Sequence, residues 1–300
     1  MEFEVIKRIH GVIPAVFTPF KNDSIWEEVL KEHVEYLIKA GVHGLYVCGS
    51  AGMGPLMSYE ERVKVLDSVM EVARGKVLII PQVGSIVMRD VLEFAKYCSK
   101  KGVEVLSAIT PYYYHRVDYK ALIKYYSRIH EVSQLPLMLY NLPSATGINL
   151  SPDVVSRMIE ELPFIVGIKD SSGNIAQLTE YLMRTEGKEF AVICGSDSII
   201  FPALVIGARG VISGMANVFP ELLVELYNAC MAKDYDKARK LQFKILRLRS
   251  ILRRYTHWTT YYEAIKLLGR RFGTVRFPLR ESLDKEELEE LKRDLGDVLG

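Results

Sequence analysis

Three hundred residues, 49% of them hydrophobic and 25% charged, have the composition of a globular chain with a large core. A formal charge of +2 gives no electrostatic reason to expect a nucleic acid or an acidic membrane as partner. No apolar run reaches the roughly 18 residues that span a bilayer, and the opening MEFEVIKRIH lacks a signal-peptide core, so a cytoplasmic location is expected.

Short apolar, β-branched runs recur along the chain: GVIPAVF (11–17), GLYVCG (44–49), VLIIPQVG (77–84) and VEVLSAIT (103–110). LPLMLYN (135–141), FIVGIKD (164–170), AVICGSD (191–197) and GVISGMAN (210–217) complete the series. Being apolar on both faces, they predict strands buried on both sides of a parallel sheet. Helical patterns separate them. The first, SIWEEVLKEHVEYLIKAG, suggests a capping box of Ser24 with Glu27, an apolar stripe through Leu30, Val34, Leu37 and Ile38, and a stop at Gly41. Ser58 with Glu61 opens the next in the same way, and Ser151-Pro152 places proline in the first turn of another.

Eight strand–helix units predict a (β/α)8 TIM barrel over residues 1–232, with a doubly wound open sheet as the competitor that periodicity does not separate from it. From residue 233 to 300 only helical pattern remains, which predicts a C-terminal helical appendage packed on the barrel. Its basic run, Arg247, Arg249, Arg253 and Arg254, reads as a solvated helix face. Cys48, Cys98, Cys194 and Cys230 are scattered without a C-x-x-C pair and read as small buried residues or free thiols.

In both competing folds the active site lies at the carboxyl ends of the strands. Those ends are rich in hydroxyls and glycine: Thr18, Gly49-Ser50-Ala51-Gly52, Thr110-Pro111-Tyr112-Tyr113, Tyr140-Asn141, Gly195-Ser196-Asp197 and Ser213-Gly214. A single cation joins them, Lys169, which closes the apolar run Phe164–Ile168. An ordinary lysine there would snorkel to water. Held inside the mouth of a barrel it would lose hydration, which lowers its pKa. At the ordinary value only about one amine in 2,500 is neutral at pH 7, whereas a pKa of ~7–8 makes roughly 10–50% neutral. A neutral amine attacks a carbonyl to form a Schiff base, and the protonated imine is an electron sink that needs neither metal nor organic cofactor. Tyr140 is a candidate general acid/base and Ser50 a proton relay to it. The glycine-flanked turn at 49–52 can converge backbone N–H groups on a carboxylate. None of the six histidines shows a metal-binding spacing, no G-x-G-x-x-G follows the first strand, and no Lys-Ser/Thr pair follows the glycines, so a metal, dinucleotide or P-loop site is not expected.

GSAG at 49–52, TPYYY at 110–114, LYNLPSATG at 139–147, GIKDSSGN at 167–174, and GSD followed by GARGVIS between 195 and 213 together resemble the dihydrodipicolinate synthase / N-acetylneuraminate lyase family. The similarity runs through the whole chain in the expected order. It implies a (β/α)8 class I aldolase, commonly tetrameric, that forms a Schiff base with pyruvate or another 2-keto acid. By resemblance Lys169 is the Schiff-base lysine and Tyr140 the catalytic tyrosine. Ser50 stands where the family has a relay threonine, and Tyr113 matches a tyrosine supplied across a subunit interface. Ala51 and Ile212 match positions that contact the keto acid, chiefly through backbone groups.

The departures bear on the substrate. Family members typically read G-T-T-G where this chain reads G-S-A-G. The biosynthetic synthase has arginine at the position of Ala145, anchoring the carboxylate of aspartate semialdehyde, and usually glutamate at that of Met53. GMGPLMS at 52–58 and YYYHR at 112–116 look instead like the archaeal 2-keto-3-deoxygluconate aldolases, in which the arginine matched by Arg116 lies near the far end of the sugar acid. There His115 replaces the usual proline, and Arg253 is a further candidate for a phosphate contact. The resemblance therefore implies reversible aldol cleavage of a 2-keto-3-deoxy sugar acid to pyruvate and an aldehyde such as glyceraldehyde. Dihydrodipicolinate synthase and a keto-sugar-acid dehydratase are the alternatives within the same chemistry, and a catalytically silent keto-acid sensor is the alternative outside it.

Overall fold

Every one of the eight predicted runs contains a strand in the computed structural model, which describes residues 2–300. They are β1 (Gly11–Pro14), β2 (Gly44–Val47), β3 (Leu78–Pro81), β4 (Leu106–Ile109), β5 (Leu137–Asn141), β6 (Ile165–Asp170), β7 (Ala191–Cys194) and β8 (Gly210–Ser213). All their residues are buried, the signature of strands covered on both faces. Pairing is parallel throughout, in the order β1-β8-β7-β6-β5-β4, with β2 and β3 forming a separate pair. Single parallel bridges, Ala15 with Tyr46 and Gln82 with Ser107, connect that pair to β1 on one side and β4 on the other. Paired neighbours thus follow one another through all eight strands, and helices lie between them in the chain: an α/β fold.

The helix starts show which local signals survive tertiary structure. Ser58 and Glu61 form the predicted reciprocal cap of Tyr59–Ala73, and Ser151 caps Pro152–Glu161 with proline in its first turn. Ser24 does not cap. It sits in a two-residue strand, Ser24–Ile25, that pairs antiparallel with Phe20–Lys21 across a turn in which Asn22 and Asp23 adopt positive φ. The helix Glu27–Lys39 starts from Trp26 instead, without a side-chain cap. A hairpin that uses the Ser24 backbone leaves its hydroxyl unable to serve the helix.

The C-terminal segment folds as Tyr235–Leu252, His257–Leu267 and Lys285–Leu299. Gln242 ties the first of these to the loop after β7, accepting from Phe201 N at 2.8 Å and donating to the Asp197 carbonyl at 3.0 Å. Of the basic run read as a solvated face, Arg254 pairs with Asp294, while Arg249 and Arg253, one helical turn apart, line the cavity at the strand ends. No helix among the described residues is long and apolar enough to cross a membrane.

A buried amide holds the first strand to the last. Asn217, just beyond β8, donates to the carbonyl of Ala15 at 2.9 Å and accepts from the N–H of Phe17 at 2.9 Å and from His33 Nε2 at 3.0 Å. Burial lowers the His33 pKa from 6.5 to about 3, against a smaller opposite effect of the Asn217 bond. In the unfolded chain this histidine binds a proton below 6.5 while the folded one stays neutral, so its burial costs stability progressively as pH falls from 6.5 towards 3. His33→Gln, whose amide can still donate to Asn217, should flatten that part of the pH profile in denaturant unfolding between pH 7 and 4. Equal slopes for the two proteins would contradict it.

Candidate active site

The register between β5 and β6 aligns Tyr140 with Lys169 and, one residue on, Asn141 with Asp170. Successive residues of a strand face opposite ways, so the two pairs serve opposite sides of the sheet. On one side Lys169, only 4% exposed, places its Nζ 4.0 Å from the centre of the Tyr140 ring and 4.1 Å from that of Tyr46 on β2. The rings meet edge to face with centres 5.8 Å apart. Burial lowers the lysine's pKa from 10.5 to about 7, with the carboxylate of Asp197 opposing the fall. An amine near neutrality in a cleft of this kind is a nucleophile.

Tyr140 has its phenol pushed upward by burial, while the hydroxyls of Ser50 and Ser171 act in the other direction. It therefore stays protonated at physiological pH, with its side chain hydrogen-bonded to Ser50 and Ser171. Asp197 is likewise raised by burial, and Ser213 Oγ donates to its Oδ1. Arg249 favours its charged form.

The turn after β2 is shaped for an anion. The N–H groups of Gly52 and Gly54 both reach the Gly49 carbonyl, at 3.1 and 3.0 Å, and that of Met53 reaches Ser50 O at 3.2 Å. The N–H groups of Ser50 and Ala51 have no backbone acceptor among the described residues, and both residues line the cavity. Gly54 is obligatory here, since a Cβ would lie 2.0 Å from the Cys48 carbonyl oxygen.

On the other side of the sheet, Asn141 Nδ2 donates to Asp170 Oδ1 at 2.7 Å and to Asn149 Oδ1 at 2.9 Å, while its Oδ1 accepts from Leu150 N at 2.9 Å. Ser172 Oγ donates to Asp170 Oδ2 at 2.6 Å. This network fastens both ends of the 142–150 segment, whose Leu142, Ser144 and Ala145 form one wall of the cavity.

The cavity encloses about 430 Å³ and brings together Ser50, Ala51, Tyr140, Lys169 and Ile212 from the sequence reading. It also contains Ser171, Arg249 and Tyr261, which that reading did not assign to the site, together with Asp197, named there among the strand-end residues, and Arg253, named as a phosphate contact. Neither Arg249 nor Arg253 forms an ion pair among the described residues, and both line the cavity. Arg116 is exposed and outside the lining. The basic run gave a signal in its i, i+4 spacing, but nothing local says which way that face turns. Tyr46 was missed because in GLYV it is indistinguishable from a core residue. Tyr113 also lies outside the cavity, 76% exposed with a φ of 74°. Among the described residues no group of three or more His, Cys, Asp or Glu is placed to hold a metal ion.

The comparisons with known proteins agree with this geometry. Residues 8–297 match the model of the dihydrodipicolinate synthetase family. The 4-hydroxy-tetrahydrodipicolinate synthase of Methanocaldococcus jannaschii is 33% identical over 288 residues, covering 95% of this chain and 98% of the relative. Among solved structures, YagE of E. coli K12, a prophage protein of the dihydrodipicolinic acid synthase family in complex with pyruvate, superposes with a TM-score of 0.92 at 30% identity, over 97% of this chain and 99% of that one. A variant of Sulfolobus solfataricus 2-keto-3-deoxygluconate aldolase bound to L-2-keto, 3-deoxy-galactonate gives 0.90 at 30% identity, over 96% of each chain. The chain belongs to the dihydrodipicolinate synthetase family. It is an enzyme, a class I carbon–carbon lyase working through a lysine imine.

Burying the Lys169 amine works against folding. The unfolded chain binds a proton there below 10.5 and the folded one only below about 7, so this lysine costs most stability below pH 7 and nothing above 10.5. Lys169→Met should therefore melt higher than the parent, by a margin that shrinks as pH is raised from 6 to 10. Thermal scans across that range check it, and a margin independent of pH would rule out the buried ammonium as its cause.

Proposed function

We propose that Lys169 condenses with the ketone of pyruvate and that Tyr140 moves the protons as a carbon–carbon bond is made or broken. The observation that carries this is the desolvated amine held 4.0 Å from the Tyr140 ring beside two unused backbone N–H groups. The neutral amine adds to the keto carbon, the carbonyl oxygen leaves as water with one further proton taken up, and a protonated imine remains. Loss of a proton from the adjacent carbon gives an enamine, which attacks an aldehyde. Tyr140 protonates the new alkoxide, recovering its proton through Ser50, and water hydrolyses the imine. Ser50 and Ala51 hold the carboxylate by their N–H groups, with Ile212 beneath the keto acid. Cleavage is the same path reversed. The eight strands, joined in a circuit by the Ala15 and Gln82 bridges, support a closed (β/α)8 barrel over residues 1–232, with the helices of 233–300 as an appendage contributing Arg249 and Arg253.

For the acceptor, the archaeal relatives named 4-hydroxy-tetrahydrodipicolinate synthase favour condensation with aspartate semialdehyde over the sugar-acid cleavage expected from sequence. Arg249 and Arg253 are free to take its carboxylate, which makes the missing arginine at Ala145 less decisive. Sugar-acid cleavage stays as the second reading, favoured by the small, uncharged wall at Ser144-Ala145 and by the hydroxyls of Ser50, Ser171, Ser196 and Tyr261. The family habit of tetramers, and the exposed Tyr113, support an assembly in which a neighbour's Tyr113 completes the relay.

Incubation with pyruvate and borohydride should add a pyruvyl mass to Lys169, with trapping that rises with pH through a midpoint near 7 as the ammonium deprotonates. Folded protein without an adduct would end this reading. An assay offering pyruvate with aspartate semialdehyde, and separately 2-keto-3-deoxygluconate alone, distinguishes the acceptors. Replacing Arg253 by Met should raise KM for an anionic acceptor by about tenfold or more, in the range of about 1.5–3 kcal/mol for hydrogen bonds to charged groups, while the pH midpoint of pyruvate trapping stays unchanged.

A further inference from the structure

The Lys169 amine has two aromatic neighbours, and the proposed mechanism uses only one. Tyr46 lies on β2, across the cleft from Tyr140, and is fully buried. Its hydroxyl meets Ser107 Oγ at 3.1 Å, which points the phenol away from the amine and turns the ring face towards it. The space for that ring is provided by Gly49, where a Cβ would stand 2.7 Å from Tyr46 Cε1. The same turn thus offers N–H groups to a carboxylate and makes room for the ring beside the amine.

We propose that Tyr46 is a catalytic residue whose π face stabilises the cation on Lys169 Nζ, first as ammonium and then as the protonated imine. The inference rests on the proposed role of Lys169 as the imine-forming amine. A ring face within about 6 Å of a cation attracts it, and a site shut off from water strengthens the attraction. The imine nitrogen stays on the lysine, between the two rings, and still carries one positive charge, so a contact present before condensation persists while the adjacent carbon loses its proton. Tyr46 donates no proton in this role. It offsets, for the charged states only, part of the desolvation that makes the amine reactive. The other groups that bear on the amine are Tyr140 on β5 and Asp197 after β7, with Arg249 acting on Asp197.

The test measures pyruvate–borohydride trapping and steady-state turnover against pH in the full-length enzyme. Tyr46→Phe keeps the face and removes only the hydroxyl bonded to Ser107, so it should shift the midpoint and lower the plateau far less than loss of the ring does. Tyr46→Leu removes the face. Its trapping midpoint should fall by about one pH unit, because the ammonium has lost a stabilising partner, and plateau turnover should fall by about tenfold. Since the leucine variant could also pack differently, phenylalanine carrying two and then three ring fluorines at position 46 provides an isosteric series. A graded fall of midpoint and turnover with fluorination supports the proposal. A flat series, or a leucine variant with unchanged midpoint, overturns it. Absence of any pyruvate adduct in the wild-type enzyme would instead remove the assignment of Lys169, so the two failures are distinguishable.

Discussion

Desolvation of one amine is the constraint around which this molecule is arranged. In water the Lys169 side chain would be charged and chemically inert at neutral pH. Under two tyrosine rings, at 4.0 and 4.1 Å, it loses hydration and its pKa falls to about 7. Three surroundings keep that fall within a useful range. The ring faces favour the cation, the Asp197 carboxylate raises the pKa again, and burial pushes it down. Too little burial would leave a spectator ammonium, and too much would leave an amine unable to stabilise an iminium charge.

Such a balance requires the strands to be held in register, and the opposite side of the sheet does that. Asn141 and Asp170 follow Tyr140 and Lys169 by one residue on adjacent strands, so the hydrogen bond between them fixes the same spacing that the reactive pair depends on. The same amide reaches Asn149 and Leu150 and anchors the cavity wall that carries Ala145. Chemistry at Lys169 and the shape of the acceptor site therefore share one support. Asn217 does comparable work where β1 meets β8, binding both Ala15 and Phe17 backbones.

The electrostatics at the mouth separate the two halves of the reaction. In the proposed mechanism the keto-acid end relies on backbone N–H groups at Ser50 and Ala51, which are indifferent to what lies beyond the reacting carbon. The far end is bordered by guanidinium groups supplied by the helix Tyr235–Leu252 and the residue that ends it, outside the strand–helix repeat. That helix is tied to the rim by Gln242 and brings its charges to the cavity from outside the repeat. Under the proposed function the inner half carries the pyruvate chemistry shared by the family, while the outer half governs the acceptor.

The sequence by itself determined the eight strands, the two caps at Ser58 and Ser151, and the place of Lys169 and Tyr140 at the ends of their strands. These follow from signals carried within a few residues: a two-faced apolar run, a hydroxyl three residues before a glutamate, a lone cation closing a strand. Tertiary structure alone decided the rest. Ser24 has the letters of a cap but lost its backbone to a hairpin. Tyr46 looks like filler until β2 and β6 are seen together, and Arg249 looks solvated until its helix is docked, whereas Arg253 stays exposed at the edge of the cavity. Arg116, named from a motif, lies outside the cavity. The Ser24 hairpin is local, its backbone partner being Lys21; the others depend on contacts between residues dozens to hundreds of positions apart, and the direction in which a side chain faces a distant element leaves no local trace in the order of amino acids.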